Sequence, residues 1–150
     1  MSLWNRRDFL IASGAAMGVC STLPAAMGAA NAATTQLLPL HLIVADTRFT
    51  ESHAFAAEAA RAGNRVAWIT GDITDLWYNE LDLLWRENKV AIAGLTGYAA
   101  FFCLERFAWD RGLRVAFKEE LQRTGSGQPS SLYRWIIAPR PERRIEGDSP

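Results

Sequence analysis

The run Leu40-His41-Leu42-Ile43-Val44-Ala45, closed by Asp46, is apolar at nearly every position. A strand exposed on one face alternates apolar and polar residues, whereas one covered on both faces need not. This run therefore predicts a central strand covered on both faces. The stretch after it, Thr50 to Ala62, is rich in alanine, with Thr50 placed to cap it and Gly63 to stop it. Phe55, Ala59 and Ala62 fall on one helical face there.

The alternation continues. Arg65–Thr70 reads as a second strand, halted by Gly71-Asp72, and Thr74 to about Arg86 as a helix with a buried stripe of Trp77, Leu81, Leu84 and Trp85. Val90–Ala93 is the third strand, Gly94–Gly97 a turn, and Tyr98 to about Arg111 a helix ended by Gly112. The first half of that helix is apolar all round, which predicts deep burial. Leu113–Lys118 is the fourth strand and Leu132–Ile137 the fifth. Between these two lies a segment containing Gly125, Gly127 and Pro129, too short and too Gly/Ser-rich for a helical crossover, so the fifth strand is expected to return as an antiparallel hairpin. The order implies an α/β fold: a small three-layer, Rossmann-like or flavodoxin-like, mostly parallel sheet of about five strands with a C-terminal antiparallel hairpin strand. The expected domain occupies 33–138, followed by a charged, proline-rich tail at 139–150.

The residues ahead of this domain are of another kind. Arg6 and Arg7 precede Phe9-Leu10, then an apolar stretch diluted by Gly, Ser and Thr runs to about Met27, and Ala30-Asn31-Ala32 offers small residues at cleavage spacing. This segment resembles a twin-arginine (Tat) signal peptide, with Asn5 and Ile11 departing from the pattern at its two ends. The resemblance covers 1–32 and implies cleavage after Ala32, passage through the Tat translocase, and a periplasmic or secreted protein. A secretory signal of the general type with an incidental Arg-Arg is the alternative. The Gly, Ser and Thr interruptions argue against a permanent membrane span unless the signal is retained as an anchor.

Charge and cysteine content narrow the functional classes. The 16 basic side chains balance the 16 acidic ones, which leaves no field to attract nucleic acid. Cys20 departs with the signal, so Cys103 has no partner for an internal disulfide, and among the apolar residues of its helix it reads as a structural side chain. His41 and His53 lie in no metal-ligand spacing, so no metal and no cofactor is predicted.

Open parallel sheets hold ligands beyond the carboxyl ends of their strands. Three predicted loops meet there and supply Asp46, Arg48, Ser52 and His53 from the first, Asp72 from the second, and Gly94, Thr96 and Gly97 from the third. Together they form a candidate site for an anionic ligand, although each element also has a plain structural use as a tight turn or helix cap. The tryptophans suggest something else. Trp77, Tyr78 and Trp85 share one predicted helix, and aromatic residues of this size are enriched at interface hot spots. The twin-arginine route implies cargo that travels folded, often redox enzymes and the companions bound to them. The resulting expectation is a non-catalytic accessory or small subunit of a larger periplasmic redox enzyme system, with a small periplasmic enzyme or binder of an anion as the alternative. No catalytic residue is assigned.

Overall fold

The computed structural model describes residues 39–122, 131–141 and nothing between or beyond them. The signal resemblance at Arg6, Arg7, Phe9 and Leu10, the cleavage position after Ala32 and most of the expected tail lie outside the described residues. The elements run β1 (Leu40–Asp46), α1 (Thr50–Arg61), β2 (Val66–Ile69), α2 (Thr74–Leu76), a π-helical turn (Trp77–Leu81), α3 (Asp82–Glu87), β3 (Ala91–Gly97), α4 (Tyr98–Asp110), β4 (Leu113–Leu121) and β5 (Leu132–Pro139). All five strands join one sheet in the order β2-β1-β3-β5-β4.

The fold is α/β, as the alternation of apolar runs and helical stretches implies. The sheet, however, is mixed rather than mostly parallel. β1 pairs parallel with β2 and β3, while β5 is antiparallel to both β3 and β4. β4 and β5 pair antiparallel as expected of a hairpin, and β5 inserts between β3 and β4, leaving β4 at the edge. Burial explains the insertion. Leu132, Trp135, Ile136, Ile137 and Ala138 are all buried, so β5 needs cover on both faces and a neighbour on each side. β4 carries Arg114, Lys118, Glu119 and Glu120, charges that suit an edge strand and discourage further pairing. A register shift between Val115 and Phe117 adds a bulge to that edge.

Two apolar layers hold the sheet. On one face Phe55 and Ala59 of α1 pack with Ile43, Ala93, Leu95 and Ile136. On the other, Trp77, Leu81 and Trp85 join Phe101, Leu104 and Ala108 of α4 over Leu42, Val44, Ile92, Trp135 and Ile137. The chain thus leaves β1 for β2 with α1 on the first face. It then crosses back past β1 to β3 on the second. The direction of winding reverses between β1 and β3, and their carboxyl ends flank the switch point.

Three local expectations change. β3 runs on to Gly97, so Gly94, Leu95 and Thr96 are buried strand residues and not a turn. Neither Thr50 nor Thr74 is a side-chain cap; each is the first residue of its helix. α4 is not buried all round, because helices cover this side of the sheet in a single layer and its outer face meets solvent: Tyr98, Phe102 and Cys103 are exposed.

Candidate functional site

Asp46 ends β1 at the switch point and is fully buried. Its carboxylate is held from three directions. The Arg48 guanidinium donates from Nε to Oδ1 at 3.0 Å and from Nη2 to Oδ2 at 2.7 Å, and the Arg48 backbone N–H donates to Oδ1 at 3.2 Å. The backbone N–H of Gly97, at the end of β3, donates to Oδ2 at 3.4 Å. This two-pronged arginine–carboxylate geometry is the strong form of the interaction. It ties the end of β1 to the end of β3 across the crevice where a ligand of an open sheet is expected.

The guanidinium also lies close against two glycines. At Gly71, where φ is +76°, an added Cβ would come within 2.3 Å of Arg48 Cζ, and at Gly97 within 3.0 Å of Arg48 Nη2. Only a residue without a side chain lets the arginine lie this close to the ends of β2 and β3. Asp46, Arg48 and Gly97 are therefore in mutual contact, and Gly71 is the member that sequence reasoning treats only as a strand stop. Its signal is present in Thr70-Gly71-Asp72, but the arginine that covers it comes from 23 residues upstream, a separation like that of the Thr47–Thr70 hydroxyl pair beside it at 2.9 Å.

The remaining candidates are engaged elsewhere. Ser52 is buried and donates from Oγ to the Leu95 carbonyl at 2.9 Å, which pins α1 to β3. His53 Nε2 lies 3.2 Å from the Thr47 carbonyl, and its ring sits 5.0 Å from that of Trp68. Asp72 caps the next helix: its Oδ1 accepts from the Thr74 backbone N–H at 2.8 Å and from Thr74 Oγ1 at 2.6 Å. Those bonds, the hydroxyl's foremost, lower its pKa. Thr96 Oγ1 accepts from the Trp135 indole N–H at 3.0 Å and donates to the Gly97 carbonyl at 3.2 Å. Gly94 packs beneath the same indole. Neither residue opens on the crevice.

Burial pushes the Asp46 carboxyl up, but the Arg48 hydrogen bonds and charge, with the Gly97 N–H, outweigh it and hold the group below its ordinary value of 3.8. The same pairing raises Arg48. Asp46 is thus a poor proton acceptor, and Arg48 already has a counter-charge. Together they are a neutral latch. A carboxylate held lower in the folded than in the unfolded state stabilises the fold fully above its ordinary value, and that contribution is lost as pH falls through the folded value. Denaturant titrations at descending pH should show wild type losing more stability below pH 3.8 than Asp46→Asn does. Parallel pH profiles for the two proteins would refute the latch.

The interface candidates divide. Trp77 and Trp85 are core residues: the Trp77 ring stacks 4.2 Å from Phe107, and the Trp85 indole donates to the Val90 carbonyl at 3.2 Å. Only Tyr78 of that group is exposed. The larger exposed aromatic surface lies one helix away, on α4. Tyr98 (52 % exposed), Phe102 (44 %) and Trp109 (44 %) follow one line along it. Arg106 lies over Trp109 at 4.7 Å and over Phe102 at 5.9 Å, and Arg114 approaches Trp109 from β4 at 5.7 Å. The spacing of these residues is visible in the sequence at i, i+4 and i+11, but it was masked by an equally apolar inner face. Beside this line, a groove of about 290 Å³ runs between Trp77 and Tyr78 on one wall and Ala99 and Cys103 on the other, with Asp72 at its end.

Among the described residues no group of three or more His, Cys, Asp and Glu side chains could hold a metal ion. Compared with protein-family models, curated proteins and solved structures, the chain matches none of them.

Proposed function

We propose that this chain is exported folded by the twin-arginine route and works in the periplasm by binding, as a non-catalytic accessory or small subunit of a larger redox enzyme system. The observation that carries the reading is the exposed line Tyr98–Phe102–Trp109 on α4. Large aromatics and arginine are the residue types enriched at the centres of protein interfaces. Here Arg106 and Arg114 hold the rings in place before any partner arrives, which lowers the ordering cost of association. The twin-arginine resemblance supplies the route, and it favours a companion that travels folded.

The anion-binding alternative has less behind it. Arg48, the cation at the switch point, is bound through two of its nitrogens to Asp46, and Gly94 and Thr96 belong to the sheet interior. No described helix is long and apolar enough to cross a membrane. Native mass spectrometry of the protein purified from its own periplasm tests the proposal. A complex with a larger polypeptide is the expected result, and a monomer at the mass of the processed chain overturns it.

A further inference from the structure

The two edges of the sheet are guarded differently. β4, at one edge, carries charges and a bulge, the usual devices against strand addition. β2, at the other edge, has neither. Val66–Ile69 contains no charge and no proline, and its register with β1 is unbroken. The strand is short, so few backbone groups lie open, and the ladder identifies them. The Arg65 and Ile69 carbonyls accept from the Ile43 and Thr47 N–H groups on the β1 side, each at 2.8 Å. Successive residues of a strand direct their backbone groups to alternate sides. Val66 and Trp68 therefore turn N–H and C=O to the open edge, where no described strand meets them. Their side chains share the first face: Val66 packs into its apolar layer, and the Trp68 ring, 47 % exposed, leans on His53 of α1. Ala67, between them, lies on the second face.

We propose that a second copy of this chain pairs here, β2 against β2, antiparallel about a two-fold axis through Ala67. The two sheets then become one continuous sheet. The edge is self-complementary in this register. Centred on Ala67, the two-fold sets Val66 opposite the partner's Trp68 and Trp68 opposite the partner's Val66. Each is a pair that exchanges both N–H and C=O bonds, so both open residues of each strand are satisfied. Centring on Val66 or on Trp68 instead leaves one of the two without a partner inside the strand. The side chains agree with the backbone. On the first face each pair sets a β-branched residue against an aromatic one, a favourable cross-strand combination. On the second face two alanines meet at the axis, where Cα atoms approach to about 4.5 Å and small side chains fit. Parallel addition would be head-to-tail and would leave an open edge for the next copy, whereas the two-fold pairing closes on itself. α4 packs over β3, β5 and β4, toward the opposite edge, and stays free for a larger partner.

Sedimentation equilibrium of the full-length chain is the first test. The apparent mass should rise with concentration from that of one chain to that of two. Trp68→Lys removes the aromatic pair and places a charge on the edge, so it should weaken dimerisation by about tenfold or more. A chain that stays monomeric throughout, whatever else covers the edge, overturns the proposal. So does a dimer that Trp68→Lys leaves intact. Disulfide formation then tests the register. In a chain cleared of native thiols by Cys20→Ser and Cys103→Ala, Ala67→Cys brings the two new thiols together at the axis, within disulfide reach. Arg65→Cys leaves them about 13 Å apart along the strands. Under copper–phenanthroline oxidation in air, Ala67→Cys should give a product of twice the chain mass about tenfold faster than Arg65→Cys, as expected of thiols held nearby. Equal rates overturn the pairing, and if Ala67→Cys fails to fold, sedimentation of Trp68→Lys decides alone. None of these results bears on whether a larger partner binds α4.

Discussion

Gly94→Val is expected to prevent the domain from folding at ambient temperature, and Gly94→Ala to destabilise it severely. Gly94 sits in the middle of β3, with β1 on one side and β5 on the other. A Cβ at this position would lie 2.4 Å from Cζ2 of Trp135, 2.8 Å from its Cε2 and 2.8 Å from the Val44 carbonyl oxygen. None of these neighbours can give way easily. The Val44 carbonyl belongs to the central strand, and the Trp135 indole is fully buried and hydrogen-bonded to Thr96 Oγ1. Overpacking a closed core costs about 1–3 kcal/mol for small intrusions and more for large ones, against a total stability of about 5–15 kcal/mol for a domain of ordinary size. Gly94→Ala should therefore lose about 3 kcal/mol in urea unfolding. Trp135→Phe removes the two indole atoms that the new methyl would strike, so Gly94→Ala combined with Trp135→Phe should fall short of the sum of the single losses by about 1–2 kcal/mol. If Gly94 instead served to let a ligand approach the backbone, Gly94→Ala would leave stability unchanged, and the coupling to Trp135 would vanish.

Why this glycine is a packing residue could not be read from its neighbourhood in the chain. Gly94-Leu95-Thr96-Gly97 has the composition of a turn, and local composition says nothing of a tryptophan arriving from 41 residues downstream. The strands themselves were legible because burial on both faces leaves an unbroken apolar run, as in Leu40–Ala45. The insertion of β5 was legible in principle too. Its run is as apolar as that of β1, while β4 carries the charges of an edge, and comparing the two would have placed β5 inside. What the pattern could not supply were pairings between distant loops. The Asp46–Arg48 bond is local and falls within a stretch recognised as a site, but its closure by Gly97 and its bed on Gly71 depend on which strands become neighbours. The exposed aromatic line on α4 was missed for a related reason. A helix apolar on both sides gives the same signal whether its outer face meets another layer or open water, and only the layer count decides. Trp77 and Trp85 are core, as the buried stripe of their helix implies, and Phe102 and Trp109 are surface.

That reassignment leads to the second large effect. In Phe102→Ser combined with Trp109→Ser, the complex with the partner should be lost while the domain remains folded. Both rings are nearly half exposed, and substitutions at such positions usually change stability by no more than about 0.5 kcal/mol. At the centre of an interface the same truncations cost about 2 kcal/mol or more each. Together they would weaken binding by about a thousandfold if the losses add, enough to abolish co-purification. The arginines sharpen the comparison. Arg106 lies over both rings and Arg114 over one, so Arg106→Ala should weaken the complex more than Arg114→Ala, by removing the group that orients both. Tyr78→Ser, on the neighbouring helix and across the groove, is the control: it removes an even more exposed aromatic that is not on the line. Equilibrium binding of the purified variants to the partner isolated with the wild-type protein, with thermal unfolding run on the same samples, measures both quantities. Undiminished binding by a folded double variant would remove α4 as the docking face, and with it the observation on which the accessory role rests.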